Sequence, residues 1–458
     1  MILDRKSELS ALEAMWTRAS RGHPQLVVMW GRRRVGKTFL LSHFARDKRA
    51  VFFGATDQAE GVELGRLYEA VRRDLGDQVA DLAGGAFASW EAALRFLAAM
   101  AKDKPLALIL DEVPYLLRST PGWGSIVQVV WDHLREGTRL LMVLTGSAIG
   151  VIEDLLGPKG PLRGRPTRAR RMDPLDPREA RVFLSKLSPS DYLEAYAACG
   201  GYPLHLLGWD TQASVEENLH LLAYTAGGLL LQDAHGMLAE ELSGTVGYSR
   251  ILAAVGRGRT RYGEIASDAG QRVEGPLETL VRAGFLGKRL PVGAPKGARP
   301  SYEIGDPYLA FFFGCLYANT TEVESGQGSA VMRRVRPRWQ LHVGWVFEEL
   351  ARAHAIHLAA SGKLPRGLVI GRWWAASGTP CEVDVLGLDG SRATLLGEAR
   401  WQTDPLDVRE LDELKRKALL VPDVVERPVY ALWSRAGVTA AVKRAGGLGF
   451  GLREMLRR

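Results

Sequence analysis

The chain has 458 residues, a formal net charge of +8, 46% hydrophobic and 24% charged residues. That length calls for more than one hydrophobic core, and that composition excludes a disordered or collagen-like chain. No apolar run approaches the roughly 18 residues of a membrane helix, so no membrane partner is expected. The positive balance is compatible with nucleic acid but does not single it out.

The opening MILDRKSEL lacks the apolar core of a signal peptide. Cys199, Cys315 and Cys381 lie far apart and form no CxxC pair, which argues against a zinc site or a disulfide framework. Reduced thiols in a cytoplasmic protein are the expectation. Arginine far outnumbers lysine, so the few lysines carry more information than the arginines.

From the N-terminus, LVVMW (26–30) reads as a short buried strand ending in a glycine loop, and TFLLSHFARD (38–47) has helical spacing. Further strands are expected at AVFFGAT (50–56), LALILDE (106–112) and RLLMVLTGS (139–147), with a fifth near RARRMDPL (168–175). Apolar strands alternating with helices predict an α/β fold with a parallel sheet covered on both faces. This core is placed at residues 1–187.

GRRRVGKT (31–38) fits the pattern GxxxxGK[ST] after a strand and before a helix. Glycines let backbone N–H groups face phosphate oxygens, and the helix N-terminus adds its positive end. Lys37 would reach the β- and γ-phosphates of ATP, and the Thr38 hydroxyl would ligate Mg²⁺. The nucleotide-binding stretch is Gly31, Arg32, Arg33, Arg34, Val35, Gly36, Lys37, Thr38 and Phe39. Backbone N–H faces the phosphate, so the three arginines are expected on the outer surface of the loop. Asp111, ending the LALILDE strand, would help hold Mg²⁺, and Glu112 would polarise the attacking water. A helix N-cap pair is the plain alternative for the two acids. Thr145 and Ser147 end the fourth strand where a polar group could sense the γ-phosphate, or where a simple turn could lie. GPLRGRPTRARR (160–171) lies between the fourth and fifth strands, where many ATPases present an arginine to a neighbouring subunit's nucleotide; by that likeness Arg165 or Arg163 would be such a finger in a homo-oligomer, and a solvated basic loop is the alternative.

Residues 188–240 read as a mostly helical lid interrupted by CGGYP (199–203). Residues 241–317 offer three short helices and a hairpin with a long Gly/Pro tip, a winged-helix pattern. Its third helix would start near Arg272, and its wing carries Lys288, Arg289, Lys296 and Arg299. That arrangement would bind DNA, although Glu264, Glu274 and Glu278 dilute the basic face. Residues 318–338, with ANTTEVESGQGS and the cluster RRVRPR, read as a linker. Residues 339–458 begin with a helix, followed by strands at GLVIGRWW, CEVDVLGL and ATLLGEARW, the helix LDVRELDELKRKALL and a final strand RPVYALWS.

With these motifs in order, the chain resembles the archaeal-type P-loop ATPases of the STAND class, related to AAA+ proteins. ILDRKSEL resembles the family's N-terminal box, with Asp4 in place of a glycine and Arg5 and Glu8 kept, which adds Arg5 to the nucleotide site. GGYP (200–203) resembles the lid motif whose proline, here Pro203, lies against the adenine. PLRGRPT resembles a family segment that selects Arg165 as the arginine finger. The C-terminal part resembles the PD-(D/E)xK nuclease fold. That resemblance makes Asp384 and Glu398 metal ligands, with Glu348 as a third. Arg400 stands where that pattern has lysine, and an arginine cannot act as a base. Either cleavage has been lost, or Lys415 on the next helix supplies the ammonium. The resemblance implies an ATPase that switches or assembles on DNA, in genome defence, mobile-element control or DNA processing. A regulatory switch on protein partners is the competing expectation.

Overall fold

A computed structural model describes residues 5–134, 137–241, 245–375 and 379–457. Asp4 and the residues before it lie outside the described residues. The chain separates into two compact units, Met1–Pro174 and Leu175–Arg458.

The first unit is built on five parallel strands: β1 (Gln25–Trp30), β2 (Ala50–Gly54), β3 (Leu106–Asp111), β4 (Leu140–Gly146) and β5 (Arg168–Arg171). Their order across the sheet is β2-β3-β4-β1-β5, and every pairing is parallel. β3 and β4 are buried along their whole length, as expected of central strands covered on both faces. β1 and β3 are separated in the sheet by β4, so the glycine loop after β1 and the acids after β3 flank the end of β4. The helix Lys37–Ala45 starts directly from the glycine loop. Trp90, Trp123, Leu94 and Leu97 fill one side of the sheet, with Trp90 and Trp123 edge to face at 6.0 Å.

The second unit takes in residues 175–187, which the sequence assigned to the core. Leu175 N–H donates to the Gly201 carbonyl at 2.9 Å, and the Tyr196 hydroxyl donates to the Leu175 carbonyl at 2.9 Å. These bonds tie the segment to the helix Pro189–Cys199. Next come the helices Pro203–Leu207, Val215–Ala223 and Leu229–Glu241. Helices Thr245–Gly256, Tyr262–Ala269 and Glu274–Arg282 precede a hairpin of β6 (Gly287–Arg289) and β7 (Ser301–Glu303).

The expected linker at 318–338 is helical instead. A π-helical turn at Phe312–Leu316 packs Phe312, Phe313 and Leu316 into the core, and Gly328–Ala360 is one 33-residue helix. Gly328 looked like a flexible residue, but its role is close approach. A Cβ there would lie 1.6 Å from the Tyr224 carbonyl oxygen. Pro337 sits inside the long helix and lacks the N–H that would bond the Arg333 carbonyl.

A second sheet closes the unit: β8 (Val369–Trp374), β9 (Glu382–Asp389), β10 (Arg392–Arg400), β11 (Val424–Ser434) and β12 (Leu448–Gly451), in the order β12-β11-β10-β9-β8. β8, β9 and β10 are antiparallel neighbours, whereas β10, β11 and β12 run parallel. β11 is therefore not the last strand: the short LGFG run extends the sheet beyond it. The helix Val408–Ala418 packs Leu411 and Leu414 into the core of this sheet.

Candidate functional site

The glycine loop of the first unit is shaped by two backbone requirements. Gly31 has φ +155°, and a Cβ on it would lie 2.0 Å from the Met172 carbonyl oxygen. Gly36 has φ +95° and caps the helix Lys37–Ala45, so the loop turns where other residues would be strained. The Lys37 ammonium is buried within the loop and donates to the carbonyls of Gly31 (2.7 Å) and Arg32 (3.0 Å). Arg5 donates to the Val35 carbonyl at 3.1 Å and to the Asp173 carbonyl at 2.6 Å. It braces the loop from behind.

The arginines of the loop divide. Arg33 and Arg34 are exposed, as expected of an outer surface, but Arg32 is only 3% exposed. Arg32 precedes the turn at Arg34, whose φ is +65°, and belongs to the inner wall of the loop. Phe39 is 60% exposed on the first turn of the helix.

At the end of β3 the Thr38 hydroxyl donates to Asp111 Oδ2 at 2.6 Å. Burial pushes the Asp111 carboxyl up. The Thr38 hydroxyl opposes that shift, the neighbouring Glu112 charge adds to it, and the Lys37 ammonium opposes it. Glu112 adopts the left-handed conformation (φ 56°, ψ 46°) at the start of the helix Val113–Ser119, a cost tolerated mainly where function fixes the geometry. That turn brings its carboxylate to Ser147. Ser147 N–H and hydroxyl donate to Glu112 Oε2 at 3.0 and 2.8 Å. Thr145 is fully buried in β4, and its hydroxyl has no hydrogen-bond partner among the described residues. One short arc thus gathers Lys37, Thr38, Asp111, Glu112 and Ser147. Hydroxyl and carboxylate oxygens are the donors that Mg²⁺ takes, and Thr38 with Asp111 supplies one of each. The residues present therefore fit a nucleotide phosphate chain with its cation.

Arg165 stands differently. Its guanidinium pairs with the Asp132 carboxylate at 2.8 Å and also donates to the Pro161 and Arg163 carbonyls. These bonds hold its guanidinium against the surface of the first unit.

The first unit's geometry agrees with the comparisons. Residues 2–208 match a family described as an ATPase domain predominantly from Archaea. That segment is less than half of the chain. Residues 312–416 match a family described as archaeal and bacterial proteins of unknown function. An uncharacterized protein of Methanocaldococcus jannaschii is 27% identical over 430 residues, 92% of either chain. An uncharacterized ATP-binding protein of the same organism is 41% identical over 49 residues, which are 11% of this chain and 78% of that one. In fold, the chain is similar to a Walker-type ATPase of Pyrococcus abyssi, with a TM-score of 0.52 and 19% identity over 68% of this chain and 96% of that one. No helix among the described residues is long and apolar enough to cross a membrane.

In the second unit, Pro203 opens the helix Pro203–Leu207 after the Gly200–Gly201 turn. The hairpin is engaged by its own unit. Arg289 pairs with Glu303, and Val292 N–H donates to the Arg372 carbonyl of the edge strand β8 at 2.9 Å. Lys288, Lys296 and Arg299 make no ion pair among the described residues.

The C-terminal acids lie where β9, β10 and the long helix meet. Asp384 and Glu398 are 5% and 4% exposed. Asp384 accepts from the Ala399 N–H at 2.9 Å, and Arg352 donates to the Asp384 carbonyl at 2.8 Å. Burial, with the Asp384 charge second, pushes the Glu348 carboxyl up to about 8. Burial and Asp384 also raise Glu398, against the pull of Arg400 and Lys417. The ammonium at this site is Lys417, not Lys415. Lys417 Nζ is 2.9 and 2.8 Å from the two Glu398 oxygens, and Arg400 pairs with the same carboxylate. Lys415 faces Asp412 on the outside of the helix at 3.7 Å. Spacing alone does not separate the two lysines: Lys417 follows the buried Leu414 by three residues, and Lys415 follows the buried Leu411 by four. Among the described residues no three His, Cys, Asp or Glu side chains converge to hold a metal ion.

Proposed function

We propose that the chain binds and hydrolyses ATP and uses the nucleotide state as a switch. The observation that carries this reading is the arc in which Lys37 lies in the loop, Thr38 bonds Asp111, and Glu112 is held by Ser147. Lys37 and the loop N–H groups bind the phosphates, Thr38 and Asp111 hold Mg²⁺, and Glu112 orients the attacking water and takes its proton. Bound there, Mg²⁺ would supply charge neutralisation for the phosphates. The test is Mg²⁺-dependent ATP turnover with Lys37→Ala and Glu112→Gln. The first should lose binding, and the second should keep binding and lose turnover. Equal turnover in Glu112→Gln and wild type would remove Glu112 from this role.

The switch acts on DNA in the reading favoured by the net charge of +8 and by Lys288, Lys296 and Arg299, which make no ion pair among the described residues. DNA affinity should then fall steeply with salt, because phosphate contacts release counterions. A specific observation favours a second reading, a scaffold for protein partners. Glu398 is neutralised by Lys417 and Arg400, and the hairpin is docked on β8. On that reading the C-terminal sheet grips rather than cuts, and Mg²⁺-dependent DNA cleavage is absent from wild type and from Asp384→Ala alike.

A further inference from the structure

The strand β2 (AVFFG, Ala50–Gly54) is an edge of the first unit's sheet, next to β3. It carries no charge and no proline. An apolar, uncharged edge of this kind is a template on which a strand of another chain can pair. The flanking residues show which way its backbone groups point. The Arg49 carbonyl accepts from the Ala107 N–H at 3.0 Å, and the Ala55 N–H donates to the Asp111 carbonyl at 2.9 Å. Alternate residues of a strand bond to opposite sides, so Ala50, Phe52 and Gly54 turn their N–H and C=O groups away from β3.

Phe52, at the centre, has both of these groups taken. Its N–H donates to Asp74 Oδ2 at 2.9 Å, and its carbonyl accepts from Arg73 Nη2 at 2.9 Å. Both side chains come from the end of the helix Glu60–Leu75. They are bonded to each other as well, from Arg73 Nε to Asp74 Oδ1 at 2.6 Å and from Arg73 Nη2 to Asp74 Oδ2 at 2.8 Å. Successive residues of a helix do not face one another, so the two side chains meet because both turn to Phe52. Together they offer Phe52 one acceptor and one donor, the two groups that a residue of a neighbouring strand would offer. Two turns earlier on the same helix, Arg66 donates to the Gly54 carbonyl at 3.1 Å. Arg66 is held there by Glu63, which is fully buried, at 2.9 Å.

Arg73 is 63% exposed, and an exposed ion pair adds little stability. Its placement matters for what it keeps out. We propose that the Arg73–Asp74 pair takes the place of a missing strand and closes β2 against strand addition. The strand it excludes is β2 of a second copy of this chain. A second copy offers the same uncharged AVFFG, and two-fold antiparallel pairing sets Phe52 opposite Phe52. Contacts between copies of the first unit therefore use surfaces other than this edge.

Sedimentation velocity on the full chain tests this with wild type and Asp74→Ala over a range of concentrations. Asp74→Ala opens the Phe52 N–H and should lower the concentration at which copies associate at least about tenfold. Arg72→Ala removes the adjacent cation, which pairs with Glu69 at 2.7 Å, and should associate as wild type does. Phe52→Cys should cross-link copies in the Asp74→Ala background and not in the wild-type background. A hydrogen-bonded antiparallel pair sets the two Cα atoms about 5.5 Å apart, within disulfide reach. Arg73→Met, which opens the carbonyl alone, gives the same reading should Asp74→Ala not fold. A folded capless variant that associates no more than wild type would overturn the proposal. So would equal association of Arg72→Ala, or association without the Phe52→Cys cross-link.

Discussion

Glu112 and Ser147 are joined twice, because the backbone N–H and the hydroxyl of Ser147 both donate to the same carboxylate oxygen of Glu112. Ser147 follows β4, so the central strand of the sheet sets where the acid points. Removing the hydroxyl leaves the N–H bond and only loosens the acid. Ser147→Ala should therefore lower ATP turnover about tenfold with nucleotide affinity unchanged. Glu112→Gln should lower turnover by about 10² to 10⁴. Steady-state turnover beside equilibrium nucleotide binding separates the two effects.

Gly31 admits no side chain. Its φ of +155° is unfavourable to other residues, and the Met172 carbonyl occupies the space of a Cβ. Gly31→Ala should destabilise the first unit by more than about 2 kcal/mol. Arg33→Ala, at an exposed position of the same loop, serves as the control in thermal unfolding.

Lys417 and Lys415 make a matched pair for the C-terminal sheet. Lys417→Met leaves the buried Glu398 with Arg400 alone, and should cost about 1–3 kcal/mol. Lys415→Met removes only a long, half-exposed contact and should cost less than about 0.5 kcal/mol. Urea unfolding of the two variants checks the ranking.

Glu348 should make stability depend on pH. Its carboxyl is raised to about 8 in the folded chain, against about 4.3 when unfolded. Between these values the folded state holds a proton that the unfolded state has lost. Stability from this group is full below the unfolded value and is lost as pH rises through the folded one. Glu348→Gln should flatten the decline between about pH 5 and pH 8, read as unfolding midpoints in urea.

The first unit was legible in the sequence because each signal was local. A glycine loop between a strand and a helix, and two acids ending an apolar strand, name their own positions. What the sequence hid depended on neighbours distant in the chain. Arg32 looks like Arg33 and Arg34 in the sequence, yet it is buried. Gly328 looks like linker, until the Tyr224 carbonyl is seen against it. Lys415 and Lys417 are nearly adjacent in sequence and each lies one turn after a buried leucine, so only the position of Glu398 on the neighbouring strand distinguishes them.

The 33-residue helix carries Arg333, Arg336 and Trp339 toward one end and Glu348 and Arg352 toward the other. Trp339 and Glu348 are about 13 Å apart along its axis. Pro337 lies between Arg336 and Trp339 and removes one helical hydrogen bond there. The segment that looked like a tether in the sequence is therefore a continuous rod that fixes the spacing between Trp339 and Glu348, weakest at the Arg333 carbonyl.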